Sequence, residues 1–251
     1  MSKINRLILE WPKGTVKSSR ELNEADYSSQ ILKVYANTGW ISLLDRGAYK
    51  LADDTVGWQG GLYSLQKRPG NQVHVGAKTA LELKGFAHYI AQQPVKVDLF
   101  GKGSDMLPAW FTKQTWMKNL RLYKTDVLRF NLPGVLTIVS IDSIPVKCSA
   151  PELAILEMLL LVPQVYSFVE ASLLLESLTT LRSDMVQSLL ENSTSIKANR
   201  LFLYLAEKHG HHWFNELNLT MINLGSGKRE IVKNGKLNKK YGITVPVDYE
   251  E

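Results

Sequence analysis

A single cysteine in 251 residues, Cys148, leaves no partner for an internal disulfide and no basis for a zinc site built from cysteine thiolates. No run of about 18 uncharged apolar residues occurs, so no membrane-spanning helix is expected. The opening MSKINRLILEWPKG is apolar only briefly, is interrupted by Arg6 and Glu10, and has no small-residue cleavage site, so no signal peptide is expected either. Internal repeats and low-complexity blocks are also lacking. These absences fit a soluble chain of one or two domains in a reducing, cytoplasmic compartment, with no membrane partner.

Acidic residues are too few to balance the basic ones, 24 against 30, and the imbalance is uneven. Residues 1–90 carry twelve Lys/Arg against eight Asp/Glu, residues 91–195 nine against ten, and residues 196–251 nine against six. Both ends are basic and the middle is neutral. Such ends favour polyanions, because every phosphate neutralised releases counterions. Ordinary solubilising charge would give the same total, so pattern has to decide.

The hydrophobic periodicity predicts short helices at 3–11, 17–24 and 29–38, with Ser18 or Ser19 and Ser28 as N-caps and Gly39 as a stop. WISLL and GAYKL read as strands joined by Asp45-Arg46-Gly47, and helices follow at 55–67 and 77–84. From about residue 94 strands dominate: VKVDLF, LRLY, GVLTIVSI and IPVKCS. PELAILEMLLLVP reads as a central core helix, followed by helices near 166–177, 183–191 and 196–208. The tail reads as strand and turn, with Asn234-Gly235 turning after REIVK. The fold class is therefore α+β: an N-terminal winged helix-turn-helix over residues 1–90, then a larger mixed domain over 91–251, with the boundary near 88–95.

A short helix followed at once by a hairpin suggests a reading helix and its wing. On a wheel of about 100° per residue, Ser29, Gln30, Lys33, Ala36 and Asn37 share one side of helix 29–38. Ile31, Leu32, Val34, Tyr35 and Thr38 fill the other. Serine, glutamine and asparagine can exchange hydrogen bonds with base edges, and Lys33 can meet a base or a phosphate. Arg46 stands at the wing tip and Lys50 at the far end of its second strand. Lys13 and Lys17 are expected as further phosphate contacts, and Ser28, the cap of helix 29–38, belongs to the same expected DNA-binding set. A solvated amphipathic helix or a protein-docking module would show the same pattern.

Several long strings carry a resemblance to a known family: PKGTV…SSQILKVYANTGWISLLDRGAYK…VGWQGGLYSLQ, VHVGAKTALELKGFAHY, VDLFGKGSDMLPAW, SAPELAILEMLLLVP, LTTLRSDMVQSLLE, KANRLFLYLAEKHGHHWF and INLGSGKREIVKNGKLNKKYGITVP. Together they span nearly the whole chain and resemble the AbiEi antitoxins of type IV toxin–antitoxin, or abortive infection, systems. The resemblance implies an N-terminal winged helix that binds operator DNA and represses its own operon. It also implies a C-terminal domain that counteracts a nucleotidyltransferase-like toxin without forming a stable complex with it. It implies no catalytic residue and no cofactor. One winged helix reads few base pairs, so two copies on an inverted repeat are expected.

At the second basic end, helix 196–208 places Lys197, Arg200, Tyr204 and Lys208 within about 80° of one another. Lys228, Arg229 and Lys233 follow, in a stretch (225–245) with six cations and one anion. A basic stripe of this kind is expected to dock an acidic partner or RNA, and so to form the antitoxin surface. A nucleic-acid-processing enzyme with a basic C-terminal groove is the competing class, and a pure docking scaffold a third.

Other candidates are weaker. His209, His211 and His212 have poor spacing for zinc on one helical face. Glu82-Leu83-Lys84 resembles the E-x-K piece of many nucleases, but the usual upstream Asp is missing and Asp98 follows it. GKGSD (101–105) and GSGK (225–228) lack phosphate-loop spacing. No metal is expected. Cys148 is expected to be buried and inert, and Trp40 and Trp58 to pack.

Overall fold

The computed structural model describes residues 1–86 and 96–249. The expected boundary near 88–95 lies outside the described residues.

The first unit runs α1 (Lys3–Leu9), β1 (Lys17–Ser18), α2 (Ser19–Glu24), α3 (Ser29–Asn37), β2 (Ile41–Asp45) and β3 (Ala48–Leu51). Its sheet is ordered β1-β3-β2 and is antiparallel throughout. This element order and sheet are consistent with a winged helix-turn-helix. Lys17, expected in a helix, is instead a strand residue opposite Tyr49. The helix starts at Ser19, because Ser18 and Glu21 close a capping box around its first turn. Leu7, Trp11, Leu22, Tyr27, Leu32, Ile41 and Leu51 form a small apolar core under these elements. Burying each is worth roughly 1.5–3 kcal/mol.

The rest of the chain forms a larger lobe. Its elements are α4 (Trp58–Gln66), β4 (His74–Val75), α5 (Ala77–Leu83), β5 (Val97–Gly101), α6 (Ala109–Thr112), β6 (Leu120–Lys124), β7 (Leu136–Ile141), β8 (Ile144–Ser149), α7 (Pro151–Leu160), α8 (Phe168–Ser177), α9 (Ser183–Asn192) and α10 (Ile196–Lys208). The sheet order is β6-β5-β4-β8-β7, with β5–β6 and β4–β8 parallel. Helix α7 lies at the centre, and even its Glu152 and Glu157 are buried. A small sheet closes the lobe: β9 (Arg229–Glu230), β10 (Lys236–Asn238) and β11 (Ile243–Val245). Asn234 does turn the chain, with φ +58. However, the strand before it pairs in parallel with β11, and β11 rather than β9 forms the hairpin with β10.

Apolar residues of 58–83 pack in the large core. Val16 and Ala48 of the winged unit also belong to that large core. Helix α4 sits so close to the winged unit that a Cβ on Gly60 would lie 1.8 Å from the Gly14 carbonyl oxygen. The Val16 N–H donates to Ser64 Oγ at 2.9 Å, and the Gly14 N–H to Asp54 Oδ2 at 2.6 Å. The two units are therefore joined by packing as well as by chain.

Candidate nucleic-acid interface

The turn from α2 into α3 depends on Asp26, which takes φ +64, a left-handed conformation that aspartate tolerates better than most residues. The Tyr27 N–H then donates to the Leu22 carbonyl at 2.8 Å. Ser28 caps α3 by accepting from the Ile31 N–H. Leu32 is buried, with Ile31, Tyr35 and Ala36 against the same small core. Ser29, Gln30, Lys33 and Asn37 all face solvent, as expected. Three assignments on this helix need correction, and one is Thr38, which is expected inward but lies exposed at the C-cap. Ala36, expected on the outer side, packs inward. Val34, expected inward, is 56% exposed. The phase is set by Leu32, which lies one turn from both Tyr35 and Ala36. The solvent face is therefore Ser29, Gln30, Lys33, Val34 and Asn37, with an apolar member suited to a thymine methyl.

The wing turns at Asp45-Arg46-Gly47, with Gly47 at φ +78. Asp45 Oδ1 accepts the Arg46 N–H at 2.7 Å, and the Arg46 side chain is exposed at the tip. Lys13 is exposed on the loop between α1 and β1. The other two cations are engaged. Lys50 Nζ donates to the Ala52 and Asp54 carbonyls at 3.3 and 2.5 Å, tying the wing's end to the following loop. Lys17 Nζ lies 5.4 Å over the Trp11 ring and is held below its ordinary pKa by burial. Trp40, expected to pack, is 48% exposed just beyond α3, and Leu43 of β2 is 59% exposed. Lys113 approaches the wing from the large lobe, 3.9 Å from Asp45. Neither Trp40 nor Lys113 carries a sequence signal for this position, since tryptophan usually packs and Lys113 is distant in the chain.

The second basic surface is not the one expected. Of the stripe on α10, Arg200 and Tyr204 are buried and Lys197 is half-buried, and Lys208 is exposed. Arg200 is only 4% exposed, and its guanidinium donates to the carbonyls of Leu224, Gly225, Gly227 and Gly242 at 2.6–3.2 Å. Lys197 Nζ donates to Leu160 O and Val162 O at the C-terminal end of α7, where a cation offsets the helix dipole. Burial holds its pKa down. The Tyr204 hydroxyl and Lys208 Nζ both donate to the Tyr249 carbonyl at 2.7 Å. The amphipathic pattern of α10 is real, but α7, α8 and β11 cover the helix from several sides. Its stripe groups all meet main-chain carbonyls, Lys208 while staying exposed to water. Lys228, Arg229 and Lys233 are exposed, as expected.

The weaker candidates separate in space. His209 bonds Ser172 Oγ and His211 the Leu175 carbonyl, both at 2.9 Å and both from α8, whereas His212 is exposed. Burial lowers the pKa of His209 and of His211. Glu82 faces Lys78 at 3.6 Å, while Lys84 bonds Thr137 at 2.7 Å, so the nuclease-like pair points two ways. Asp98 is buried against Arg121 at 2.7 Å and the Tyr166 hydroxyl; burial raises its pKa, against the lowering pull of both partners. Asp105 and Asp126 accept the amides of the 101–105 loop, which places carboxylates where a phosphate would have to sit. The Gly225 and Gly227 backbones take φ +56 and +73, a turn as expected. Cys148 is fully buried, its thiol pushed up to about 12 by burial. Trp58 packs on the large core. Among the described residues no group of three His, Cys, Asp or Glu is placed to hold a metal ion. No described helix is long and apolar enough to cross a membrane.

Comparison with known proteins adds two matches along the chain. Residues 94–246 match a family described as transcriptional regulator, AbiEi antitoxin, type IV TA system. Residues 1–92 match its N-terminal domain, described as transcriptional regulator, AbiEi antitoxin N-terminal domain. No curated protein matches the chain. A crystal structure of the RV2827C protein from Mycobacterium tuberculosis is similar over 96% of this chain and 88% of that one, with a TM-score of 0.59 and 13% identity, a likeness of fold.

Proposed function

Because the chain belongs to the AbiEi antitoxin family, transcriptional regulators of type IV toxin–antitoxin systems, we propose that it represses its own operon by laying α3 in a major groove of operator DNA. The observation that carries this is the solvent row Ser29, Gln30, Lys33, Val34 and Asn37, held outward by a buried Leu32. Nine residues at about 1.5 Å each make a rod of roughly 13 Å, short enough to lie in one groove. Gln30 and Asn37 read base edges. Lys33, Arg46 and Lys13 meet phosphates or, in the case of Lys33, a base. Ser28 keeps a hydroxyl hydrogen for a phosphate while capping the helix. Two copies sit on an inverted repeat and exclude polymerase.

The larger lobe counteracts the toxin, a nucleotidyltransferase-like enzyme, without a stable complex. Its exposed cations Lys228, Arg229 and Lys233 form the working surface. Arg200 holds the base of that loop through the carbonyls of Leu224, Gly225, Gly227 and Gly242, while Lys197, Tyr204 and Lys208 tie α10 to the end of α7 and to Tyr249.

Footprinting on the DNA upstream of the gene tests the repressor reading. Protection of an inverted repeat is expected, and Gln30→Ala or Asn37→Ala should relax preference at single positions by roughly 1–3 kcal/mol. Unchanged affinity and preference in both variants would reject α3 as the reader. Rescue of toxin-expressing cells tests the second part. A Lys228→Glu/Arg229→Glu/Lys233→Glu variant that folds and rescues fully would reject the surface.

A further inference from the structure

Beneath the basic loop lies a cleft of about 500 Å³, lined by Arg200, Lys228, Lys239, Lys240 and the backbone of Gly225 and Gly227, with no acidic side chain in its lining. Arg200 forms its floor. A guanidinium has five N–H donors, and main-chain carbonyls take four of them: one from Nε, two from Nη1 and one from Nη2. That leaves one Nη2 hydrogen. No carboxylate pairs with this arginine, although it is 4% exposed. The carbonyl dipoles solvate the charge without cancelling it, and burial in a low-dielectric floor makes its field reach further. Gly242 permits the arrangement, since a Cβ there would stand 2.9 Å from Arg200 Nη1. The Glu207 carboxylate is turned to Lys240 and the Tyr241 hydroxyl. Lys228 and Lys239 stand exposed at the rim. Such a site has a fixed buried cation at its base and mobile cations at its mouth. Its dimensions suit a nucleotide-sized ligand, within the roughly 300–1,000 Å³ range of small-molecule pockets.

We propose that this cleft binds a phosphoryl group, carried by a nucleotide or by a single-stranded RNA. An acidic peptide is a poorer fit, because bidentate carboxylate recognition needs two parallel guanidinium hydrogens. Arg200 has only one left. A phosphoryl group takes single bonds from several directions and draws its affinity from local positive charge. For its biological use the proposal rests on the reading of this lobe as the antitoxin part. Its chemistry does not depend on that reading.

The test uses the purified full chain, with ATP, inorganic pyrophosphate and a fluorescent single-stranded RNA oligomer as probes. The variant is Lys228→Glu/Lys239→Glu, two exposed rim residues whose reversal leaves the Arg200 clamp intact. Saturable binding of at least one probe is expected, weakened about tenfold or more in the variant, with unchanged melting temperature and operator affinity. RNA binding displaced by pyrophosphate assigns the strand's phosphate. ATP binding without RNA binding assigns a free nucleotide. Absence of saturable binding by every probe at about millimolar concentration, or equal affinity in the variant, overturns the proposal. Toxin rescue is scored separately in cells, so a phosphate-binding protein that fails to rescue would sink the antitoxin reading alone.

Discussion

Of the five cations expected to meet DNA, three are free and two are occupied, and salt dependence can tell them apart. Lys13, Lys33 and Arg46 are exposed. Lys17 is half-buried over Trp11, and Lys50 is bonded to two carbonyls. Each phosphate neutralised on duplex DNA contributes about −0.9 to the slope of log affinity against log salt. Three free cations on each of two copies give about six contacts and a slope near −5. Raising salt from about 50 to 200 mM should then weaken operator binding roughly a thousandfold. Arg46→Ala removes one contact per copy and should make the slope shallower by about two. Lys50→Ala should leave the slope unchanged while loosening the wing's end, which shows as a lower melting temperature. The assay is fluorescence anisotropy on operator DNA at four or more salt concentrations for both variants. The reasoning fails if Lys50→Ala flattens the slope as much as Arg46→Ala does, because the distinction between free and engaged cations would then be false.

Further outcomes concern stability. Gly60→Ala places a methyl against the Gly14 carbonyl, and moving backbone there should cost about 1–3 kcal/mol in urea unfolding. The pair Arg182–Glu152 sets an acid limit. Burial pushes the Glu152 carboxyl up, but Arg182 bonds its two oxygens at 2.9 and 3.0 Å and the Arg182 main-chain N–H bonds one of them again, leaving its pKa below the ordinary value. A lowered folded pKa contributes stability above the ordinary carboxylate pKa that is lost as pH falls through the folded one. Arg182→Gln removes the main lowering partner, so its deficit should reach roughly 2–4 kcal/mol at neutral pH and shrink as pH drops below about 4. Denaturant midpoints at several pH values check this, and a deficit constant with pH would contradict it.

The order of elements was legible because their local signals agree with the final fold. Ser18 with Glu21, Ser28, Asp45-Arg46-Gly47 and the apolar run of α7 each specify their element within a few residues. Which face of a helix meets solvent was less legible. On α3 the wheel leaves Val34 and Ala36 within reach of either side, and only the position of Leu32 over the small core decides between them. On α10 the polar stripe is accurate as a pattern, but its environment is not readable locally. Arg200 finds four carbonyls supplied 24 to 42 residues downstream, and Lys197 finds the end of α7 some 35 residues upstream. A glycine-rich turn followed by Gly242 is the one hint that a guanidinium could be enclosed there.

The joint between the two units has a consequence for operator recognition. Val16 and Ala48 lie in the large core, Gly60 rests on the Gly14 carbonyl, and the Val16 N–H donates to Ser64 Oγ at 2.9 Å across the joint. A flexible linker would let each reading helix search independently of its lobe. Here α3 is carried at a fixed attitude to the lobe. If two copies meet through their lobes, the distance and rotation between the two reading helices are fixed as well. Half-sites must then face the same side of the duplex, about 10 base pairs or a multiple apart. Inserting about five base pairs between half-sites turns one of them to the far side and should reduce affinity to that of a single copy. Binding measured on a series of spacer lengths decides the matter. Affinity that declines smoothly with length, without helical phasing, would mean that the reading helices move freely of their lobes, and the packed joint would have no part in recognition.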